Sequence, residues 1–168
     1  MYSWGLNDEG QLGDGSVTTK STPGLVTVGD SAGHYIINIV SRGKHTLALA
    51  SSGTCFAWGS NSHGQLGIDN DETFRALPSR VLGGLGHITV IGVGARHSVV
   101  YNSRTFLYSF GDNREGELGL GSTSTVTLQK HAAASSAFVS MIRKDWEWVL
   151  DIQGGDGFTI LFTDKWNL

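Results

Sequence analysis

The segment Trp58-Gly59-Ser60-Asn61-Ser62-His63-Gly64-Gln65-Leu66-Gly67 decides the fold of this chain, because related segments precede and follow it. One runs from Trp4 to Gly13 and the other from Phe110 to Gly119, so the three copies start 54 and then 52 residues apart. A regular period of this length indicates that one structural unit is repeated along the chain.

A second phrase recurs in step with the first. His45-Thr46-Leu47-Ala48-Leu49 and His97-Ser98-Val99-Val100-Tyr101 each lie thirteen residues before an aromatic-glycine pair, and a third copy occupies 158–162 with Phe158 in place of histidine. The constant order of the two phrases argues against a chance origin. An apolar pair three residues apart and a glycine precede each copy: Ile37, Val40 and Gly43, then Ile88, Ile91 and Gly94, then Val149, Ile152 and Gly155.

The composition favours short strands over helices. The chain has 168 residues, which suits one domain, and it contains 24 glycines and only 2 prolines between short apolar runs. In the second unit we predict strands near 44–50, 54–59, 78–83 and 87–93, which is the content of one propeller blade. The predicted fold is therefore all-β, a partial β-propeller of three four-stranded antiparallel blades.

We assign structural roles to the residues that the repeats share. The turn glycines are expected to hold backbone angles that other residues avoid, and Asn7, Asn61 and Asn113 are expected to cap the turns. His45 and His97 occupy equivalent positions, so we expect them to form hydrogen bonds that stabilise the blades. The shared set is Trp4, Gly5, Gly10, Leu12, Gly13, His45, Trp58, Gly59, Gly64, Leu66, Gly67, His97, Phe110, Gly111, Gly116, Leu118 and Gly119.

These phrases resemble the regulator of chromosome condensation repeat propellers. The family pattern is similar to Val-x-x-Val-x-x-Gly-x-x-His-Thr-x-Ala-Leu, then a turn, Trp-Gly and Gly-Gln-Leu-Gly, all of which stand here in order. The resemblance implies a propeller whose ring has seven blades. It implies several functions: guanine nucleotide exchange on a nuclear small GTPase, a domain of large ubiquitin ligases, a ciliary scaffold, or an ultraviolet receptor.

Three blades cannot curl into a closed ring, so we expect the ring to be left open by this chain. The expected blade units are approximately 1–36, 37–87 and 88–148, and 149–168 begins a further blade. Residues 1–5 of another copy or a partner subunit would complete that blade by pairing with the strand at 158–162. An alternative is that the sequence is a piece of a longer propeller.

Catalytic chemistry is not indicated. Each Gly-x-x-x-x-Gly turn continues with Gln or Glu and then Leu, whereas a phosphate-binding loop needs Lys and Ser or Thr there. The histidines lack metal-ligand spacing, and Cys55 is the lone cysteine and is expected to be buried in a strand. We expect no cofactor, no metal and no catalytic residue. The formal charge of −3 disfavours nucleic-acid binding.

An insertion in the third repeat, within about 129–148, is the main irregularity. Arg143, Lys144, Trp146 and Trp148 are the candidate protein-interaction residues, because Trp and Arg are common interface anchors and variable loops often carry function. The alternative is that Trp146 or Trp148 fills space between blades. Apolar spacing from 138 to 146 fits a short helix and spacing from 146 to 152 fits a strand, so both remain open.

The function favoured by the sequence is a noncatalytic protein-interaction or scaffold module within a larger assembly. The alternative, implied by the resemblance, is guanine nucleotide exchange on a small GTPase. Light sensing is disfavoured because Lys44 and Ala95 follow the glycines where the plant receptors have tryptophan. We expect no membrane insertion and an intracellular, cytoplasmic location; the cilium, cytoskeleton or nucleus is suggested by the resemblance alone.

Overall fold

The computed structural model describes residues 1–28, 35–68, 72–81, 85–102, 106–123, 141–142 and 147–165. Within these ranges the chain forms strands and no helix, as the glycine-rich composition predicts. The strands are β1 (Tyr2–Gly5), β2 (Lys20–Leu25), β3 (Ile36–Arg42), β4 (His45–Ala50), β5 (Cys55–Ser60), β6 (Phe74–Arg80), β7 (Ile88–Val93), β8 (His97–Asn102), β9 (Phe106–Gly111), β10 (Met141–Ile142), β11 (Glu147–Gly154) and β12 (Thr159–Lys165).

The strands form four antiparallel sheets. Two are complete blades, which we call blade I (β3-β4-β5-β6) and blade II (β7-β8-β9-β10). They lie between an N-terminal half-blade (β1-β2) and a C-terminal half-blade (β11-β12). The all-β, unclosed propeller predicted from the sequence is confirmed, and its strands are distributed as two whole blades and two halves.

The grouping of strands within one repeat differs from the prediction. The strand expected at 87–93 is β7, but it pairs with β8 and begins blade II instead of completing blade I. A tight connection at 94–96 joins β7 to β8, so antiparallel pairing with β8 forms locally. The third strand of blade I also lies earlier than expected, at Phe74–Arg80. At 147–154 the strand interpretation of the ambiguous segment is confirmed.

The four sheets lie side by side in chain order. Their first strands contact each other in sequence, β3 with β7 and β7 with β11. The core lies between the sheets, because each strand points alternate side chains at its two neighbours. Leu47 and Leu49 pack towards blade II, whereas Phe56 and Trp58 pack towards the N-terminal half-blade.

The repeated turns have one geometry. Each turn ends in Gly-x-x-Gly, and both of these glycines have positive φ in all three copies. In the second copy, φ is 76° at Gly64 and 59° at Gly67. Asn61 caps its turn twice, since Oδ1 accepts the Leu66 N–H at 3.1 Å and Nδ2 donates to the Glu72 carbonyl at 2.9 Å. Equivalent Oδ1 bonds from Asn7 and Asn113 confirm the predicted capping role.

The last glycine of the first turn and that of the second each lie against an aromatic ring of the next sheet. A Cβ on Gly67 would stand 2.7 Å from the Phe110 ring, and one on Gly13 would stand 2.6 Å from the Trp58 indole nitrogen. That nitrogen also donates to the Gln11 carbonyl at 3.0 Å. These turns therefore form the contact between consecutive sheets.

The register of β3 differs by one residue from the alignment based on the sequence. Ile39 pairs with Ala48, as Ile91 pairs with Val100 and Ile152 with Leu161. The apolar pair of this repeat is therefore Ile36 and Ile39, not Ile37 and Val40. The β3–β4 turn is one residue shorter than its equivalents, and a shift of one residue moves every side chain of a strand to the opposite face.

Substitution of Gly67 by alanine tests the contact between turn and ring. We expect Gly67→Ala to lower the free energy of unfolding by about 2–5 kcal/mol, from a left-handed backbone cost of about 1–2 and a displaced ring costing about 1–3. Gly121→Ala is the matched control, because Gly121 has φ of 72° with no atom within 4 Å of an added Cβ. Urea denaturation that shows equal losses for both variants would contradict the contact.

Candidate functional site

The sequence-based interaction residues lie mostly outside the described part of the chain. Arg143, Lys144 and Trp146 are not among the described residues. Trp148 lies in β11, where its backbone pairs with Asp164 of β12. The described residues form the junctions between neighbouring sheets and two open flanks, which are the outer sides of the two half-blades.

The junction between blades I and II centres on His45. Its Nε2 lies 3.0 Å from the Ser98 hydroxyl of β8, in the next blade. Ser98 Oγ also lies 2.7 Å from the carbonyl oxygen of Gln65, in the turn of blade I. A histidine, a hydroxyl and a turn carbonyl therefore tie the two blades together.

The junction between blade II and the C-terminal half-blade repeats this arrangement. His97 Nε2 lies 2.9 Å from the Thr159 hydroxyl, which donates to the Glu117 carbonyl at 2.7 Å. Both histidines thus form hydrogen bonds between sheets, the kind of contact that the sequence analysis expects of them. The sequence pattern did not identify the hydroxyls as the acceptors, although Thr46, Ser98 and Thr159 follow the histidine position in all three copies.

The hydroxyl groups define the tautomer of both histidines. A hydroxyl has one proton, and Ser98 and Thr159 direct it to the turn carbonyls, so each must accept the proton of a histidine Nε2–H. Nδ1 is then the unprotonated nitrogen. No described residue pairs with Nδ1 of His45 or His97, although both atoms are buried.

Burial, together with the positive charge that His97 can carry, lowers the pKa of His45 from 6.5 to about 4. Burial also lowers the pKa of His97. Both side chains are therefore neutral near pH 7, with Nε2 used in a structural bond. A buried, neutral imidazole whose Nε2 is already used in a bond between sheets cannot reach a substrate, which argues against acid–base catalysis at either position.

Charged side chains form ion pairs near these junctions. Lys44 bridges Asp8 and Glu9 of the preceding turn, with Nζ to oxygen distances of 2.5 and 3.1 Å. On the next blade, burial acts to raise the pKa of Asp112, but hydrogen bonds from Arg114 outweigh it and lower that pKa. The sequence analysis missed these pairs, because their acidic and basic residues stand at positions that vary between the copies of the repeated phrase.

A groove of about 520 Å³ opens at the N-terminal flank. β1 forms one wall and the Gln11–Leu12 turn a second, while Ile39, Thr46 and Trp58 contribute the side towards blade I. Ile39 is 44% exposed, whereas the equivalent Ile91 and Ile152 are 1% and 2% exposed. This flank therefore has the side chains of a junction without the covering strands.

The opposite flank exposes an apolar face on β12. Ile160 and Phe162 are 57% and 63% exposed, whereas the equivalent Leu47 and Leu49 of β4 are 0% and 1% exposed. Phe158, at the histidine position, is also exposed. We call Phe158, Ile160 and Phe162 the C-terminal face.

The described residues contain no group of three or more His, Cys, Asp or Glu side chains placed to hold a metal ion. In the same part of the chain, none of the elements is a helix that could cross a membrane. Cys55 is buried, as predicted, and burial raises the pKa of its thiol to about 12.

The pKa of His45 predicts acid sensitivity. Between pH 6.5 and about 4 the unfolded chain binds a proton at His45 and the folded chain does not, so the free energy of unfolding falls as the pH falls, by up to about 3 kcal/mol. His45→Gln should reduce the slope of urea-denaturation stability against pH over this window, while His97 still contributes to the slope. Ser98→Ala is the control, since it should lower stability at pH 7.5 by about 1 kcal/mol but retain the acid slope. An unchanged slope in His45→Gln would contradict the assignment.

Comparisons with known proteins agree with this architecture. The model of the Regulator of chromosome condensation (RCC1) repeat matches residues 1–49 and 52–101. Protein RCC2 of Homo sapiens is 36% identical over 120 residues, which is 71% of this chain and 22% of that protein. The Ultraviolet-B receptor UVR8 of Arabidopsis thaliana is 28% identical over 169 residues, 99% of this chain and 37% of the receptor.

Solved structures show the same fold. Prp20p from Saccharomyces cerevisiae, described with its binding properties to Gsp1p and histones, superposes with a TM-score of 0.78 at 20% identity over 99% of this chain and 40% of its own. Human WBSCR16 gives a TM-score of 0.75 at 23% identity over 97% of this chain and 40% of its own. The chain spans 22–23% of the length of the RCC2 proteins from human and Xenopus laevis. The repeated phrases, the blade topology and the match over more than half the sequence show that the chain belongs to the RCC1 repeat family.

Proposed function

We propose that this chain is a noncatalytic protein-interaction and scaffold module and forms part of a larger assembly. The observation that carries the proposal is the exposure of junction side chains at both flanks. Ile39 on one flank and the C-terminal face on the other occupy positions that are buried wherever two sheets meet. Large exposed apolar patches of this kind are typical of protein contact surfaces.

The energetic gain from covering these surfaces is substantial. Full burial of a large apolar side chain contributes about 1.5–3 kcal/mol, and the C-terminal face alone has three such side chains. Further propeller strands have the shape to cover them, because the internal junctions of this chain are covered in that way. The proposed partners are other subunits or a second copy, and the proposed setting is intracellular.

Guanine nucleotide exchange on a small GTPase is the second candidate. It is favoured by the structural likeness to Prp20p, a protein described as binding Gsp1p. The buried, neutral histidines do not argue against it, since exchange needs a binding surface and no acid–base group. A nucleotide-release assay with a panel of small GTPases separates the candidates: the scaffold proposal expects no acceleration, and acceleration would favour exchange.

Native size tests the scaffold proposal. We expect the protein from its source to migrate as a complex well above the 17.9 kDa of the chain. Ile160→Asp with Phe162→Asp should shift it to a smaller size, because charge disfavours burial of the C-terminal face. Leu77→Asp on β6 is the control, since Leu77 is exposed outside that face. Migration of the unaltered protein as a monomer would contradict the proposal.

We also propose that the insertion in the third repeat contacts a protein partner, through Arg143, Lys144, Trp146 and Trp148. Replacing Arg143 and Trp146 by alanine should weaken the complex about tenfold or more while the β-sheet circular dichroism is retained, since such anchors commonly contribute over 1 kcal/mol each. Loss of the circular dichroism signal would instead favour a packing role between blades.

A further inference from the structure

The groove at the N-terminal flank lies where a second strand of the N-terminal half-blade would be. In blade I, β5 pairs on one side with β4 and on the other with β6. Its counterpart β1 pairs, among the described residues, with β2 alone. The groove borders β1 on the side where blade I has β4.

The polar side of the groove repeats half of an internal junction. Thr46 lines it at the position of Ser98 and Thr159, and Gln11 occupies the turn position of Gln65 and Glu117. In both complete junctions the hydroxyl accepts from a histidine on the second strand of the preceding sheet, at 3.0 and 2.9 Å. Thr46 therefore presents a hydroxyl at the same position to whatever strand occupies the groove, while the Gln11 carbonyl accepts from Trp58 Nε1 at 3.0 Å.

The apolar side of the groove specifies two further positions. Ile91 packs in one cluster with Leu47 and Leu49, and Ile152 packs with Val99 and Tyr101. In each case the partners stand two and four residues after the histidine. The half-exposed Ile39 thus requires apolar residues at those two positions of the occupant.

We propose that the groove binds a β-hairpin of the same repeat type whose second strand pairs with β1 and carries a histidine that donates from Nε2 to Thr46 Oγ1. The occupant has apolar residues two and four positions after that histidine. This proposal rests on the proposed scaffold function and names the chemistry of the partner at one flank.

The histidine requirement distinguishes this partner from a second copy of the chain. The hairpin β11–β12 has the apolar residues, Ile160 and Phe162, but Phe158 stands at the histidine position. A phenyl ring cannot donate to Thr46. The structure therefore favours a partner hairpin with histidine over the chain's own C-terminal half-blade.

A tethered hairpin tests the proposal. Residues 36–55 of this chain form such a hairpin with histidine, and placing a copy of 36–55 directly before Tyr2 reproduces the register in which Cys55 precedes Phe56. We expect this extended chain to have a higher urea midpoint than the parent. Changing the histidine of the added copy to phenylalanine, as at Phe158, should lower the folding equilibrium constant roughly fivefold.

Thr46→Val in the host completes a double-mutant cycle. It should weaken folding of the extended chain that has the added histidine and have little effect where phenylalanine replaces it. An added hairpin without a stabilising effect would overturn the docking proposal. Stabilisation that is independent of both the histidine and Thr46 would overturn the histidine requirement and favour a second copy as occupant.

If the extended chain fails to give β-sheet circular dichroism, the peptide 36–55 and its phenylalanine variant are titrated into the full chain. The peptide contains no tryptophan, so intrinsic fluorescence comes from the five tryptophans of the chain, of which Trp4 and Trp58 line the groove. Preferential binding of the histidine peptide supports the proposal, and equal or absent binding overturns it. Neither outcome depends on native size or nucleotide release, so failure here is distinct from failure of the scaffold function.

Discussion

The close approach of two glycine turns to aromatic rings in the next sheets is the constraint on which the contact between the sheets depends. At Gly13 and Gly67 there is no room for a Cβ, and the positive φ at both positions also favours glycine. At the Gly67 turn this approach brings the Gln65 carbonyl within reach of the Ser98 hydroxyl on the following sheet. The hydrogen bond of His45 to that hydroxyl then forms between sheets whose spacing is already set.

The same constraint explains why the two flanks are suited to contact with other proteins. At every junction two neighbouring sheets contact each other through one face of each. A sheet that lacks a neighbour on one side therefore exposes the side chains that would form a junction there. Thr46 and Ile39 on one side and the C-terminal face on the other are such groups. The positions of these side chains determine which partner can bind. A partner must supply the other half of a junction, including a hydrogen-bond donor for the Thr46 hydroxyl.

The sequence predicted the features that depend on local repetition and failed for those that depend on register or distance. The turn glycines, the asparagine caps and the histidine role all follow from phrases of a few residues. The predicted apolar pair Ile37 and Val40 was wrong because one missing residue in a turn reverses a strand. The four strands predicted for the second unit included β7, which belongs to the next sheet. The acceptors of His45 and His97 lie 53 and 62 residues away in sequence, which no local pattern reveals. The predicted interaction residues Arg143, Lys144 and Trp146 lie outside the described part of the chain and stay predictions.

The placement of two whole blades between two halves has a consequence for how the chain folds. Pairing within a blade joins strands adjacent in sequence, and the β3–β4, β4–β5, β7–β8 and β8–β9 pairs close only short loops and so form early. Blades I and II each have a neighbour on both sides, whereas each half-blade docks on one side only. Stability in such a linear array is a sum of unit and nearest-neighbour terms, so the central pair is the natural nucleus and the ends open first.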